Sequence, residues 1–213
     1  MVAVLCLALA AIPAVADINN GPINGTTDAW TINFGYVVSD NFVADSSSIA
    51  AFMIGVWLFP GDTVTSLDWS ITSAEFGGTI YGSGTASDGS LSDQFISSNQ
   101  YGYNIDQIRV LTYDLPVIQG NTYWLNLANA SVPSGDPVYW DENSGPASAS
   151  ESALGTIPSE AYTLNTCFAG GTGSPGCGQT PEPGSLLLLA SGVLGVAGVL
   201  RLKLSDRYDS KSR

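Results

Sequence analysis

Asp141 and Glu142, beside Tyr139 and Trp140, are the best local pair of carboxylates in this chain for cleaving a glycosidic bond. In that chemistry one carboxyl serves as the acid and the other as base or nucleophile. Adjacent residues on a strand point to opposite faces, so these two cannot face each other across a substrate. Each would need a distant partner such as Asp68, Asp106 or Glu160. The same stretch offers a second chemistry. Asp136, Asp141, Glu142 and Asn143 fall within eight residues and present hard oxygen atoms of the kind calcium prefers. No EF-hand spacing or glycine-aspartate repeat accompanies them, and a solvated loop capping a sheet uses the same residues. No cofactor is expected apart from a calcium ion at this cluster. Trp57, Trp124 and Trp140 are candidate glycan contacts, because an indole stacks on the apolar face of a sugar ring while nearby oxygens bond its hydroxyls. Tryptophan at alternating strand positions also fills cores, and Trp69 is the clearest such case.

Composition narrows the chemistry further. The 213 residues carry a net charge of −13 from 19 acidic and 6 basic side chains, and five of the six basic residues follow position 200. Residues 17–180 hold sixteen Asp and Glu against Arg109 alone, a net charge of about −15. Such a surface repels phosphate backbones and excludes nucleic acid as a partner. Histidine is absent from the whole chain, which removes the usual proton-transfer group and the commonest transition-metal ligand. Lysine is absent before position 203, so neither a Schiff base nor a P-loop clamp can form in the body. These absences favour a non-catalytic protein. Arg109 reads as the partner of a neighbouring carboxylate on a sheet surface, an interaction of about 0–1 kcal/mol.

The elements that must position these side chains read as strands. Residues 49–59 are apolar on both alternations, as in a strand covered on both sides. Pro60-Gly61-Asp62 then makes a turn, proline fixing φ and glycine taking the left-handed position. Residues 63–71 alternate, with Leu67, Trp69 and Ile71 on one face. Residues 104–114 and 121–130 carry further strands. Tyr103 and Ile105 are out of phase with Ile108 and Val110, which predicts a bulge near Gln107. Short strands at this spacing, without amphipathic helices, predict an all-β fold: an antiparallel β-sandwich or jelly roll over residues 17–165.

Both ends read as targeting segments. An apolar run over residues 2–11, a break at Pro13 and small residues at Ala14 and Ala16 predict a signal peptide over residues 1–16. Residues 166–180 form a glycine-rich stalk in which Cys167 and Cys177, an even pair in an exported chain, predict a disulfide. Residues 184–200 carry no charge and span roughly 25 Å as a helix. Leu202 and Leu204 extend the membrane helix over 184–204 while Arg201 and Lys203 snorkel. Arg201, Lys203 and Arg207 flank that helix and belong in the cytoplasm by the positive-inside bias, which leaves the acidic body outside.

Pro181-Glu182-Pro183, the apolar helix opening on Ser185-Leu186-Leu187-Leu188-Leu189 and the short basic tail resemble the PEP-CTERM sorting signal, here residues 181–213. The resemblance implies export from a Gram-negative bacterium and single-pass anchoring in the inner membrane. It also implies processing near the tripeptide by exosortase, a multi-pass transpeptidase-like enzyme, then release to the cell surface or medium. It further implies a structural or interaction role connected with exopolysaccharide or biofilm. The segment 34–161 is similar to an ectodomain that recurs among PEP-CTERM proteins. The matching pieces are Trp57-Leu58-Phe59-Pro60-Gly61-Asp62, Asp68-Trp69-Ser70-Ile71, Phe76-Gly77-Gly78, Thr122-Tyr123-Trp124-Leu125 and Pro137-Val138-Tyr139-Trp140-Asp141-Glu142-Asn143. A lectin-like carbohydrate-binding module is the alternative role, and a glycoside hydrolase a more distant one.

Overall fold

The strand-forming patterns of the body pair into two antiparallel sheets in the computed structural model, which describes residues 17–166. The described residues form β1 (Ile18–Asn19), β2 (Ala29–Thr31), β3 (Val37–Val43), β4 (Ser48–Leu58) and β5 (Ser66–Ala74). They continue through β6 (Gly77–Ala86), β7 (Leu91–Ser98), β8 (Asn104–Pro116) and β9 (Thr122–Ser131). The last are β10 (Tyr139–Asp141), β11 (Ala149–Glu151), β12 (Gly155–Ile157) and β13 (Tyr162–Asn165). None of these residues forms a helix long and apolar enough to cross a membrane. The signal peptide over 1–16, the disulfide between Cys167 and Cys177, the sorting tripeptide and the helix over 184–204 lie outside the described residues.

One sheet runs β7-β8-β4, after which the far edge of β4 is shared end to end by β13 and β10. β1 closes on β13 and β2 on β10. The other sheet has the order β12-β11-β3-β9-β5-β6. Their facing sides share one core that includes Phe52, Ile54, Val56 and Leu58 of β4 and Val38, Leu67, Ile71, Tyr123, Leu125 and Leu127 from the opposite sheet. Each fully buried Leu or Ile here contributes roughly 1.5–3 kcal/mol. The expected antiparallel sandwich is therefore the architecture of the body. At the end of β4, Phe59 accepts from the Asp62 amide at 3.1 Å, and Gly61 takes a φ of 95°, which makes residues 59–62 the turn that Pro60 and Gly61 predict.

The outer side of β4 is also covered. Residues 20–28 cross it so closely that a Cβ on Gly55 would lie 2.7 Å from Ile23 and 3.1 Å from the Cβ of Asp141. This crossing explains the double apolar alternation of β4, and it corrects the bulge expected near Gln107. The β4–β8 register is unbroken from Leu58↔Asn104 to Ala51↔Leu111. Ile105 is simply on the outer face, where a Cβ on Gly25 would come within 2.5 Å of it, while Ile108 and Val110 face the core. The irregularity in β8 lies further on, opposite the step from Ile49 to Ala51, where Tyr113 and Asp114 both take positive φ.

Candidate functional site

A cleft of about 430 Å³ opens on the outer face of the β4 sheet, lined by Thr27, Asp28, Ala29, Trp57, Tyr101, Tyr103 and Tyr139. The sheet pairing sets its composition. Tyr139 of β10 is the cross-strand partner of Trp57 on β4, and cross-strand partners share a face. Tyr101 and Tyr103 come from the turn between β7 and β8, where the Asn99 side chain accepts from both of their amides at 3.0 Å. Tyr101 stacks on Trp57 with centroids 5.8 Å apart and planes 19° from parallel. Tyr103 lies 5.7 Å from Trp57 and meets Tyr139 edge-on at 5.8 Å and Phe59 at 5.0 Å. The result is a continuous aromatic wall. Its most exposed member is Tyr101, at 56 %, whereas Trp57 shows only 6 % of its surface.

Asp141 fixes this wall from behind. Its Oδ1 accepts from the Trp57 indole at 2.6 Å and from the Gly25 amide at 3.0 Å, and its Oδ2 accepts from the Asn24 amide at 2.8 Å. Burial pushes the Asp141 carboxyl up, and these three bonds oppose that shift. Glu142 points the other way, as strand geometry requires, and its Oε2 accepts from the Trp30 indole at 3.0 Å. The two carboxylates of the candidate catalytic pair are thus separate anchors for two tryptophans. Burial, with Tyr103 and Asp136 nearby, raises the Tyr139 phenol above its ordinary value, so it enters the cleft as a neutral hydroxyl.

The other candidates are dispersed. Trp140 is fully buried, donates to the Ala161 carbonyl at 2.9 Å and packs near Tyr162, so it belongs to the core and cannot meet a glycan. Trp124 is half-buried and paired with Asn41 and Thr72 on the opposite sheet, away from the cleft-forming strands. Of the calcium candidates, Asn143 is spent on Asn20 and Gly145, and Asp141 and Glu142 on the groups above. Asp136 lines a separate hollow with Phe34 and Asn129. These four therefore do not converge, and among the described residues no group of three or more His, Cys, Asp or Glu is arranged to hold a metal ion. Thr27, Asp28, Tyr101, Tyr103 and Tyr139 escaped sequence reasoning as cleft residues. The Tyr101-Gly102-Tyr103 spacing, which puts two phenols on one side of a tight turn, was the available signal.

Two further carboxyl pairs occur. Asp40 and Glu160 lie fully buried, and Asp40 Oδ2 accepts from the Glu160 amide at 2.7 Å, the Asn20 amide group at 3.2 Å and the Ser159 hydroxyl at 3.3 Å. Asp40 Oδ1 and both Glu160 oxygens receive no donor. Burial raises Asp40 to about 7 and lifts Glu160 well above the carboxylate range. Burial, with Asp93 nearby, raises Asp106 to about 7. Neither pair lines the aromatic cleft.

The body is thus an antiparallel sandwich bearing an aromatic cleft, with a net charge of about −15. What marks the chain more specifically is at its end. The PEP-CTERM protein-sorting motif matches residues 179–201, a stretch that takes in Pro181-Glu182-Pro183, the apolar run and Arg201. The chain therefore carries the signal of exosortase substrates, which implies export and sorting to the surface. No curated protein matches the chain in sequence.

Proposed function

We propose that this is a non-catalytic surface or matrix protein that binds an uncharged saccharide chain in the cleft formed by Trp57, Tyr101, Tyr103 and Tyr139. The observation that carries the proposal is the aromatic wall itself. Tyr101, Tyr103 and Tyr139 offer ring surface to a pyranose over the Trp57 that backs them, and the phenols, Thr27 and Asp28 supply hydroxyl and carboxylate partners at its rim. The acidic body disfavours uronate-rich or phosphorylated polymers. In the same proposal, the C-terminal helix anchors the chain in the inner membrane with a cytoplasmic tail until exosortase cleaves near Pro181. The released domain then works within extracellular polysaccharide. The test is titration of the full chain in detergent with neutral oligosaccharides and with the polysaccharide of its own host. Tyr101→Ala and Tyr139→Ala should each weaken binding about tenfold, and Trp124→Ala should leave it unchanged. Wild-type protein that binds none of these glycans would end the saccharide reading.

A further inference from the structure

The two sheets end in edges of very different length. β1, β2 and β12 are two or three residues long, too short to template another strand. β6 and β7 are ten and eight residues long, and the four residues 87–90 join them across one side of the sandwich. Among the described residues, β7 pairs only with β8 and β6 only with β5, so each leaves one row of backbone groups without a strand partner.

Exported sheet proteins blunt such edges with charge, proline or strong bulges. β7 follows this rule, because it carries Asp93 and a register shift between Phe95 and Ser97. β6 follows it poorly. From Phe76 to Ser87 there is no charged residue and no proline, in a body with a net charge of about −15. Its two register shifts fall at Tyr81 and between Gly77 and Ile80, and the pairing of Gly82–Ala86 with β5 is regular. Gly82, Ser83 and Gly84 are small enough for a second backbone to approach closely, and Ile80 is 62 % exposed beside them.

We propose that β6 is a self-association edge, at which a second copy of this chain adds its own β6 antiparallel across a two-fold axis. Charge selects that occupant. Two bodies of like sign repel wherever their carboxylates meet, and the uncharged strip over residues 76–87 lets them touch without that cost. The strip is also its own complement: an antiparallel pair of identical strands satisfies both backbone rows and closes as a dimer. The six-stranded sheets of two copies would then merge into one sheet of twelve strands. This inference does not depend on the aromatic cleft.

Sedimentation equilibrium of the full chain in density-matched detergent tests it. Wild type should sediment as a dimer. Thr79→Lys/Ser83→Lys, two exposed positions on β6, should raise the dissociation constant at least tenfold. Ser148→Lys/Thr156→Lys, which adds the same charge at the opposite edge of the same sheet, should not. Unchanged tryptophan fluorescence would show that the β6 variant is folded. In wild type, backbone amides of residues 82–86 should exchange more slowly with deuterium as concentration rises. A monomeric wild type overturns the inference. So does a dimer that survives the β6 substitutions, because its contact would then lie elsewhere, or β6 exchange that ignores concentration.

Discussion

Raising the pH should weaken the β-domain, and Asp40 contributes a calculable share of the effect. Its carboxyl faces the core from β3, beside Glu160, with an ordinary value of 3.8 raised by burial to about 7. Below pH 3.8 both folded and unfolded chains hold this proton, and its contribution to the fold is complete. Between 3.8 and 7 the unfolded chain releases the proton while the fold retains it, so stability falls as pH rises. Above 7 the contribution is gone. A change of that size is about a thousandfold in proton affinity, or about 4 kcal/mol, of which about 2.5 kcal/mol is lost between pH 5 and pH 8. Asp40→Asn removes the titration and keeps an oxygen to accept from the Glu160 amide. All five tryptophans lie between residues 30 and 140, so urea unfolding followed by their fluorescence reports this domain even in the full chain. Wild type should lose about 2.5 kcal/mol more than Asp40→Asn on passing from pH 5 to pH 8. Glu160, pushed the same way by burial and by Asp40, and Asp106, raised to about 7 by burial and Asp93, should leave a residual loss in the variant. Equal slopes in the two proteins, or a wild type that gains stability on going to pH 8, would refute the assignment of a proton to Asp40.

Trp140→Ala should cost about 3–5 kcal/mol in urea unfolding, since it empties a fully buried site and leaves the Ala161 carbonyl only the Gly55 amide as donor; a loss below 1 kcal/mol would mean that Trp140 is not in the core. Gly55→Ala should cost about 1–3 kcal/mol and shift Trp57 fluorescence, because the new methyl would push residues 20–28 away from Asp141. Trp57→Phe should leave the domain folded but release Asp141 Oδ1 from its indole donor, with weaker glycan binding as the readout. Intact mass of surface-released protein should lack residues 1–16 and the segment beyond the cleavage point near Pro181, and should be two hydrogens lighter from a bond between Cys167 and Cys177; retention of residues 184–213 would refute the processing.

The strands legible in the sequence are those with clean periodicity and enough length. β4, β5, β8 and β9 each run nine residues or more, and each announces a buried face through residues such as Phe52, Ile71, Val110 and Leu125. β6 has four glycines among ten residues and resembles a loop, because its packing relies on close backbone approach; a Cβ on Gly82 would lie 2.4 Å from Leu115. β10 to β13 are three or four residues each, too short for any period to register. Asp40 hides for another reason. It occupies an inward position between Val38 and Phe42, yet an aspartate next to an asparagine signals a turn unless its partners from residues 20 and 159–160 are already in place.

The cleft shows why counting tryptophans misdirects a search for glycan contacts in such a fold. An indole has one polar atom, and the largest ring gains most from burial, so the fold places Trp140 in the core and ties Trp57 and Trp30 down through Asp141 and Glu142. Those bonds use the indole N–H groups inward. The outward chemistry then falls to tyrosines, whose hydroxyls sit at the far end of the ring and can reach solvent while the ring packs on its neighbour. Tyr101 does this on Trp57, on a turn whose Gly102 takes a φ of 88° and lets both phenols pack against that indole. In the proposed function Asp141, which looks in the sequence like a catalytic acid, acts on a ligand only through the ring it holds. Asp141→Asn, which can still accept from the Trp57 indole, should preserve binding, whereas Asp141→Ala should weaken it; equal loss in both variants would mean that the carboxylate charge itself contacts the sugar.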